Sequence, residues 1–277
     1  MEYLIVKDNA LINASYSLSL VEQRLILLAI VAARESSVSV TSNKKLTVSA
    51  STYSTHFEST KQAAYMALKD ACNNLFERRF SFEERNGKVK QVKSRWVQRI
   101  AYIEDHAEVE IKFSDDVIPY ITELEKRFTQ YELKQISCLN SAYAVRLYEL
   151  LIAWRSTGKV SEISINELKT RLGLLNDEYK VTADFKKRVL DLAINQINQH
   201  TDIKASYEQH KNGRTITGFS FSFTFKKTQN PKPAPTKPKP AANKQREDAR
   251  EKAAAAAHLK MLAELAGEPI ENLLKRP

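Results

Sequence analysis

Cysteine is scarce in this chain: there are two, Cys72 and Cys138, with no zinc-ligand spacing around either. That excludes a disulfide framework and a structural zinc site, and predicts two buried, reduced thiols. Long apolar runs are missing as well. The longest, Leu25 to Ala33, is far short of the ~20 residues a bilayer span needs, so a transmembrane helix is excluded. The opening residues, Met1 to Asp8, have neither the long apolar stretch nor the small-residue cleavage site of a secretory signal, which predicts a cytoplasmic protein. Catalytic patterns are absent too. The five histidines, His56, His106, His200, His210 and His258, form no H-x-H or H-E-x-x-H pattern, and no GxxxxGK[ST] phosphate loop exists. Asp105 and Asp115-Asp116 could imitate a carboxylate metal site, but an acidic pair at a helix N-terminus is more simply a favourable dipole interaction. The expectation is therefore a non-enzyme, with no catalytic residue, no metal and no cofactor.

Charge is plentiful but uneven. Lys and Arg number 43 against 33 Asp and Glu, a net +10, and the pI near 9.4 makes a polyanion the first partner to consider. From Lys226 onward there are 12 basic and 6 acidic residues, so this tail carries +6 and residues 1–225 only +4. In the folded part, nucleic-acid binding must rest on where charge is placed, because a bulk charge of that size serves solubility equally well.

Five of the eight prolines fall between Pro231 and Pro240, interleaved with Lys232, Lys237 and Lys239, the composition of an extended, self-repelling linker. Beyond it, Ala241 to Ala266 is rich in Ala, Lys, Arg and Glu, with Leu259, Leu262 and Leu265 at helical spacing before Gly267 and Pro269. The folded region should end near residue 226, followed by a flexible Pro/Lys-rich linker and a surface helix over the remainder of 227–277.

The body repeats one succession of elements without repeating its residues. In the first pass, Ser19 and Glu22 make a capping box for a helix to about Glu35; a short strand, Leu46 to Val48, precedes a small helix, Ala50 to Phe57, and a longer one, Ser59 to Phe76. Arg79 to Glu84 and Ser94 to Ile103 then alternate as hairpin strands around Asn86-Gly87, Ala107 to Phe113 alternates as a third, and Ser114 caps a helix to about Leu124. In the second pass, Ser141 opens an apolar helix through Trp154. Ser164 and Glu167 form another capping box for a short helix to Leu172, ended by Gly173. Thr182 caps a helix to about His200, and Ile203 to Tyr207 and Ile216 to Phe225 alternate around the turn His210 to Arg214. Helix, short helix, longer helix and hairpin is the succession of a winged helix-turn-helix. The predicted architecture is α+β, two tandem winged-helix domains over 1–130 and 131–226.

The helix Thr182 to Gln199 is the better recognition candidate. At 100° per residue, Phe185, Val189, Leu192, Ala193 and Ile197 fall on one side, and Asp184, Lys187, Arg188, Asp191, Asn195 and Asn198 on the other. Lys187 and Arg188 thus face solvent in the N-terminal half, where such helices meet base edges and phosphates. Lys211, Asn212 and Arg214 put two cations and an amide at the following turn, the chemistry of a wing. In the first pass, the equivalent helix buries Ala64, Leu68, Ala71 and Leu75 and exposes Gln62, Met66, Lys69 and Asn73. It is polar but hardly basic, with Lys61, Lys69 and, on the hairpin, Lys88, Lys90, Lys93 and Arg95 as scattered positive charge. Tyr143, Tyr148 and Trp154 read as packing residues. Finally, Leu25, Ile26, Leu27, Leu28, Ile30 and Val31, with Ala29 among them, form an uncharged apolar segment that an amphipathic stripe cannot cover. A partner surface would be an economical cover, and the same residues are β-prone and so a candidate aggregation segment.

VKDNALINASYSLSLVEQRLILLAI, LTVSASTYSTHF, KQAAYMALKDACNNLFERRF and SRWVQRIAYI resemble the N-terminal half of the Rep initiator proteins of theta-replicating, iteron-containing plasmids. YELKQISCLNSAYAVRLYELLIAWRSTGK, FKKRVLDLAINQINQHTDI and KNGRTITGFSF are similar to the second half. The resemblance covers essentially all of 1–226. It implies two winged-helix domains, binding to directly repeated iterons in double-stranded origin DNA, opening of the adjacent A·T-rich duplex, recruitment of the host replication initiator and replicative helicase, and copy-number control by the initiator itself. It further implies that the second domain is the main reader, through Lys187, Arg188, Asn195 and the wing Lys211 to Thr215. The first domain would dimerise and lend supporting contacts from Lys61, Gln62, Lys69, Asn73 and Arg95. Two other readings compete: a winged-helix transcriptional repressor, and a rolling-circle nicking enzyme, the latter disfavoured by the missing histidine pair.

Overall fold

Both predicted passes close on a sheet of the same strand order. In the computed structural model, which describes residues 3–35, 41–82, 91–122, 128–174 and 178–226, the first pass runs β1 (Leu4–Asp8), α1 (Asn9–Asn13), β2 (Ser15–Tyr16), α2 (Leu20–Glu35), β3 (Leu46–Ser49), α3 (Ala50–His56), α4 (Lys61–Leu75), β4 (Arg79–Phe82), β5 (Val92–Arg95), β6 (Val97–Ile103) and β7 (Glu108–Phe113). The chain continues through α5 (Pro119–Thr122), β8 (Phe128–Glu132) and α6 (Lys134–Ser137) into the second pass. That pass comprises α7 (Ala142–Ile152), β9 (Lys159–Ser164), α8 (Ile165–Leu172), α9 (Thr182–Phe185), a π turn (Lys186–Leu190), α10 (Asp191–His200), β10 (Ile203–Asn212) and β11 (Thr215–Phe225). In the sheet β3-β7-β6 the strand before the short helix lies beside the far strand of the closing hairpin. In β9-β11-β10 it does the same. The expected Asn86-Gly87 turn, Lys88, Lys90 and the tail from 227 lie outside the described residues.

Local signals set several helix starts. Glu22 N–H donates to Ser19 Oγ at 3.2 Å and Ser19 N–H to Glu22 Oε2 at 2.6 Å, a complete capping box. Glu167 N–H likewise donates to Ser164 Oγ at 3.3 Å, but the Glu167 carboxylate turns to Arg171 instead of reaching back. Thr60 caps α4, accepting from Ala63 N–H. Thr182 does not cap as predicted: Val181 occupies that position, with no side-chain bond.

Elsewhere long-range packing overrides the local pattern. The strand predicted from Ser94 to Ile103 breaks at Trp96, which is fully buried against Tyr16 and Phe80, with ring centroids 4.9 and 5.0 Å away. β5 before it pairs antiparallel with β4, as predicted for Ser94 and Arg95, in the sheet β2-β4-β5, whereas β6 after it joins β7 in the sheet β3-β7-β6, so the hairpin that closes the first pass is β6–β7. Ser114 does not open a helix to Leu124. Its hydroxyl donates to Arg95 O at 2.6 Å, and α5 begins only at Pro119, a residue whose missing N–H suits a first helical position. The first and last strands of the first module, β1 and β8, pair antiparallel, a pairing that neither segment announces.

α2 is covered on all sides by its own chain. Leu25 to Val31 are each buried, Ile26, Leu27 and Ile30 at 1%, 1% and 0% exposure, against β1, β3, α3, α4 and α7. A partner surface is thus not needed as the cover of this segment, because β1 and α7 close the face that an isolated amphipathic stripe would leave open. Cys72 is buried as predicted, while Cys138 is only partly so. α7 ends at Ile152, leaving Trp154 beyond it and 45% exposed, whereas Tyr148 is buried.

A buried polar cluster ties the two modules together. Arg146 on α7 donates to the carbonyls of Ile12 (2.8 Å), Ala14 (3.0 Å) and Arg171 (2.7 Å), lies over the Tyr16 ring and bonds its hydroxyl. Glu149, one turn on, accepts from Lys7 and Tyr131, each at 2.6 Å, and from Arg146 at 3.2 Å. Burial alone would push the Glu149 carboxyl up; the Lys7 and Arg146 charges and the bonds from Lys7 and Tyr131 outweigh it and hold the group below the usual carboxylate range. Gly173 ends α8 at φ +83° directly against Tyr16, where any Cβ would strike the Tyr16 carbonyl oxygen.

Candidate nucleic-acid interface

The helical stretch from Thr182 to His200 holds its outward face through an irregularity. Between α9 and α10, Lys186 to Leu190 form a π turn, which uses more residues per turn than an α-helix and so delays every later side chain in rotation. Phe185 and Val189 point inward as predicted, and Phe185 approaches Phe219 of β11 at 6.2 Å between ring centroids. From the last residue of the π turn onward, Leu190, Ala193, Ile194 and Ile197 are the buried residues, and Leu192, placed in the core by a uniform 100° step, is 50% exposed. Lys187, Arg188 and Asn195 are exposed, as predicted. Arg188 Nε stands 3.8 Å from the exposed Asp184 carboxylate, a surface pair worth little. Asn198, predicted outward, instead accepts from Ala205 N–H at 2.6 Å and donates to Ala205 O at 2.9 Å, clasping the helix to β10.

The hairpin is fastened to the helix flank. Lys186 Nζ donates to Gln209 Oε1 at 2.9 Å, and Tyr207 Oη donates to Asp191 Oδ1 at 2.6 Å. Partial burial, then the Asp191 carboxylate, push the Tyr207 phenol well up, so it remains a donor. β10 extends to Asn212, further than the predicted Tyr207, because its polar outer half still completes a backbone ladder with β11. Its register shifts between His210 and Lys211, and Gly213 (φ +61°) and Arg214 make the tip. Lys211, Asn212, Arg214 and Thr215 are all exposed there. The helix-turn-helix loop is pinned from below by Lys169, which donates to Tyr179 O at 2.7 Å and to Glu178 O at 3.4 Å.

The first module differs in charge. On α4, Lys61, Gln62 and Asn73 are exposed, but Lys69 donates to Glu104 at 2.6 Å. Glu104 belongs to the turn Glu104–His106 that joins β6 to β7, so the tip topologically equivalent to Lys211–Thr215 reads Glu-Asp-His. Arg95 donates to Phe76 O at 2.6 Å, lies over the Phe76 ring and pairs with Glu77 at 3.1 Å. Directly across the ladder from Arg95 is the exposed Arg79, and Lys93, opposite Ser81, is exposed two pairs further on. Two like charges facing each other cost stability unless something anionic lies over them. Arg79 was missed from sequence because only strand register sets it opposite Arg95. Among the described residues, no group of three or more His, Cys, Asp or Glu side chains could hold a metal ion.

Two helix-turn-helix units, each closed by a three-stranded sheet of one order and one bearing an exposed basic helix and tip, define a tandem winged-helix DNA-binding protein. Residues 4–152 match the family described as Initiator Replication protein, WH1, and residues 164–223 the family described as Initiator Rep protein, WH2. The chain belongs to the plasmid Rep initiator family. Relatives from Escherichia coli include a replication initiation protein, 28% identical over 220 residues, covering 77% of this chain and 67% of that one. Another is an uncharacterized 27.6 kDa protein, 26% identical over 220 residues and covering 76% and 92%. The Pi initiator protein, solved in complex with iteron DNA, has the same fold, with a TM-score of 0.67 at 22% identity, covering 82% of this chain and 98% of that one. The first family match takes in α7, which the sequence reading places in the second domain.

Proposed function

We propose that this initiator binds directly repeated sites in double-stranded plasmid origin DNA, and that its second winged helix supplies most of the sequence discrimination. The observation that carries this is the union of helix and hairpin in the second module. Lys187, Arg188 and Asn195 stand outward on a helix that Lys186–Gln209 and Tyr207–Asp191 lock to a hairpin ending in Lys211, Asn212, Arg214 and Thr215. Arginine and asparagine can read guanine and adenine edges in the major groove, and the lysines suit phosphates. In the first module the cations Lys69 and Arg95 are already paired to acids, which fits supporting backbone contacts from Lys61, Gln62, Asn73 and Lys93. The iteron complex of the Pi protein supports the choice of substrate. Melting of the adjacent A·T-rich duplex, recruitment of the host initiator and helicase, self-association between dimer and monomer, and control of its own copy number complete the proposed role.

Footprinting the full chain on DNA carrying the direct repeats beside an A·T-rich stretch tests it. Protection of each repeat, with permanganate-reactive thymines appearing in the neighbouring duplex, is the expected result. Protection of a single inverted repeat without any duplex opening would instead indicate a repressor.

A further inference from the structure

We infer that Leu192 is a base-reading residue, making apolar contact with the 5-methyl group of a thymine in the bound site; the inference rests on the proposed DNA reading of the second module. Leu192 is 50% exposed although the inward positions around it, Leu190, Ala193 and Ile194, are buried. The cause is the π turn at Lys186–Leu190, which rotates α10 so that Leu190 and Ile194 enter the core and Leu192 leaves it. Leu192 then follows Arg188 by one turn and precedes Asn195 by three residues, so the three share the outward row of the helix. From Arg188 to Asn195 this row spans about 10 Å of helix axis, the length of roughly three base-pair steps.

The row's chemistry is that of direct readout. A guanidinium suits guanine, a carboxamide suits adenine, and between them stands a branched alkyl group, whose only base-specific partner in the major groove is the thymine methyl. Leu192 is half exposed and stands outside the buried core. It is also set apart from the polar residues that flank it, Asp191 being engaged by Tyr207. Removing the methyl from water against Leu192 would therefore add recognition at one position of the site that hydrogen bonds alone cannot supply.

The experiment uses the full chain and a thymine-to-uracil scan, since uracil pairs as thymine does but lacks the methyl. Selection from a random duplex library first fixes the preferred site, and each thymine in it is then replaced singly. The expected result is one thymine, or two adjacent ones, at which uracil weakens wild-type binding about fourfold, the ratio given by burial of one methylene-sized group. Leu192→Ala and Leu192→Gln should bind thymine and uracil duplexes equally at that position, and Leu192→Met should retain the difference. Equal methyl effects in wild type and in the Ala and Gln variants, or a preferred site with no methyl-sensitive thymine, would show that Leu192 is a solvent-exposed side chain only. A chain that selects no sequence at all would overturn the DNA reading together with this inference. Thermal melting of each variant guards the comparison, and if Leu192→Ala fails to fold, the Gln and Met variants decide it.

Discussion

Lys187 and Arg188 illustrate how little an exposed side chain owes to the fold and how much it can owe to a ligand. Both stand outward, so their replacement by alanine should leave the melting temperature near wild type. Each should weaken binding to the preferred duplex, by about 1–3 kcal/mol where a bidentate base contact is lost and by less for a phosphate. Titrations against preferred and random duplex measure this. If both variants bind like wild type while Gln62→Ala or Asn73→Ala abolishes discrimination, the roles of the two modules are reversed. Glu149 is the opposite case, a charge with no access to ligand. Its carboxyl is held below the usual range, so the stability it contributes is fully present above the unfolded carboxylate value near 4.3 and is lost as pH falls through the depressed folded value. Glu149→Gln should lower stability at neutral pH, because Lys7 and Arg146 stay buried without their counter-charge. The gap between the two proteins should narrow on acidification below about pH 4, as denaturant titrations at several pH values would show. A gap that is constant with pH would mean that the cluster acts by packing alone.

The stretch Thr182 to His200 and α4 should respond to the same physical change in opposite ways. A π turn accommodates one residue more than a regular helix would need between Phe185 and Leu190. Deleting Lys187 should let the segment close as a continuous α-helix with Phe185, Leu190, Ala193 and Ile197 still inward. The expected outcome is a melting temperature close to wild type and weakened DNA binding. Deleting Asp70 from α4, which is regular throughout, should rotate the buried Ala71, Cys72 and Leu75 out of the core by about 100° and cost most of the domain's stability. Circular dichroism melts of the two deletions decide between them. Equal destabilisation would mean that the π turn is not a spare residue. The topologically equivalent tips, basic Lys211 to Arg214 and acidic Glu104-Asp105, show that the same strand order can carry opposite charge, so the element does not dictate its partner.

Over the molecule as a whole, charge and specificity are separable. The tail from Lys226 carries +6 of the net +10, yet the residues proposed to read DNA all precede it. Truncation after Lys226 should flatten the salt dependence of binding and leave the preferred sequence unchanged, because unpatterned lysine and arginine neutralise phosphates without distinguishing bases. Binding measured over a salt series with selected and random duplexes tests this, and a truncated chain that no longer distinguishes them would refute it. The Arg146 cluster joins backbone carbonyls from α1, from the link before β2 and from the end of α8, so the two winged helices are presented as one unit.

The capped starts of α2 and α8, the buried stripe of α4, the outward Lys187 and Arg188, and the duplicated succession were legible in sequence because each depends on residues within one or two turns of each other. Ser19 finds Glu22, and Ala64 finds Leu68, without reference to the rest of the chain. Other features depend on partners far away in the chain. The strand at Ser94–Ile103 alternates smoothly, and only the cavity formed by Tyr16 and Phe80 draws Trp96 inward and divides it between two sheets. The apolar run Leu25 to Val31 reads as uncovered until β1 and α7 close over it. The exposure of Leu192 reverses a prediction that was sound for an ideal helix, because the core could accept Leu190 and Ile194 only through a π turn. Periodicity is a local property, whereas strand register, sheet membership and the rotation of a helix within its packing are chosen by contacts that form only when distant segments meet.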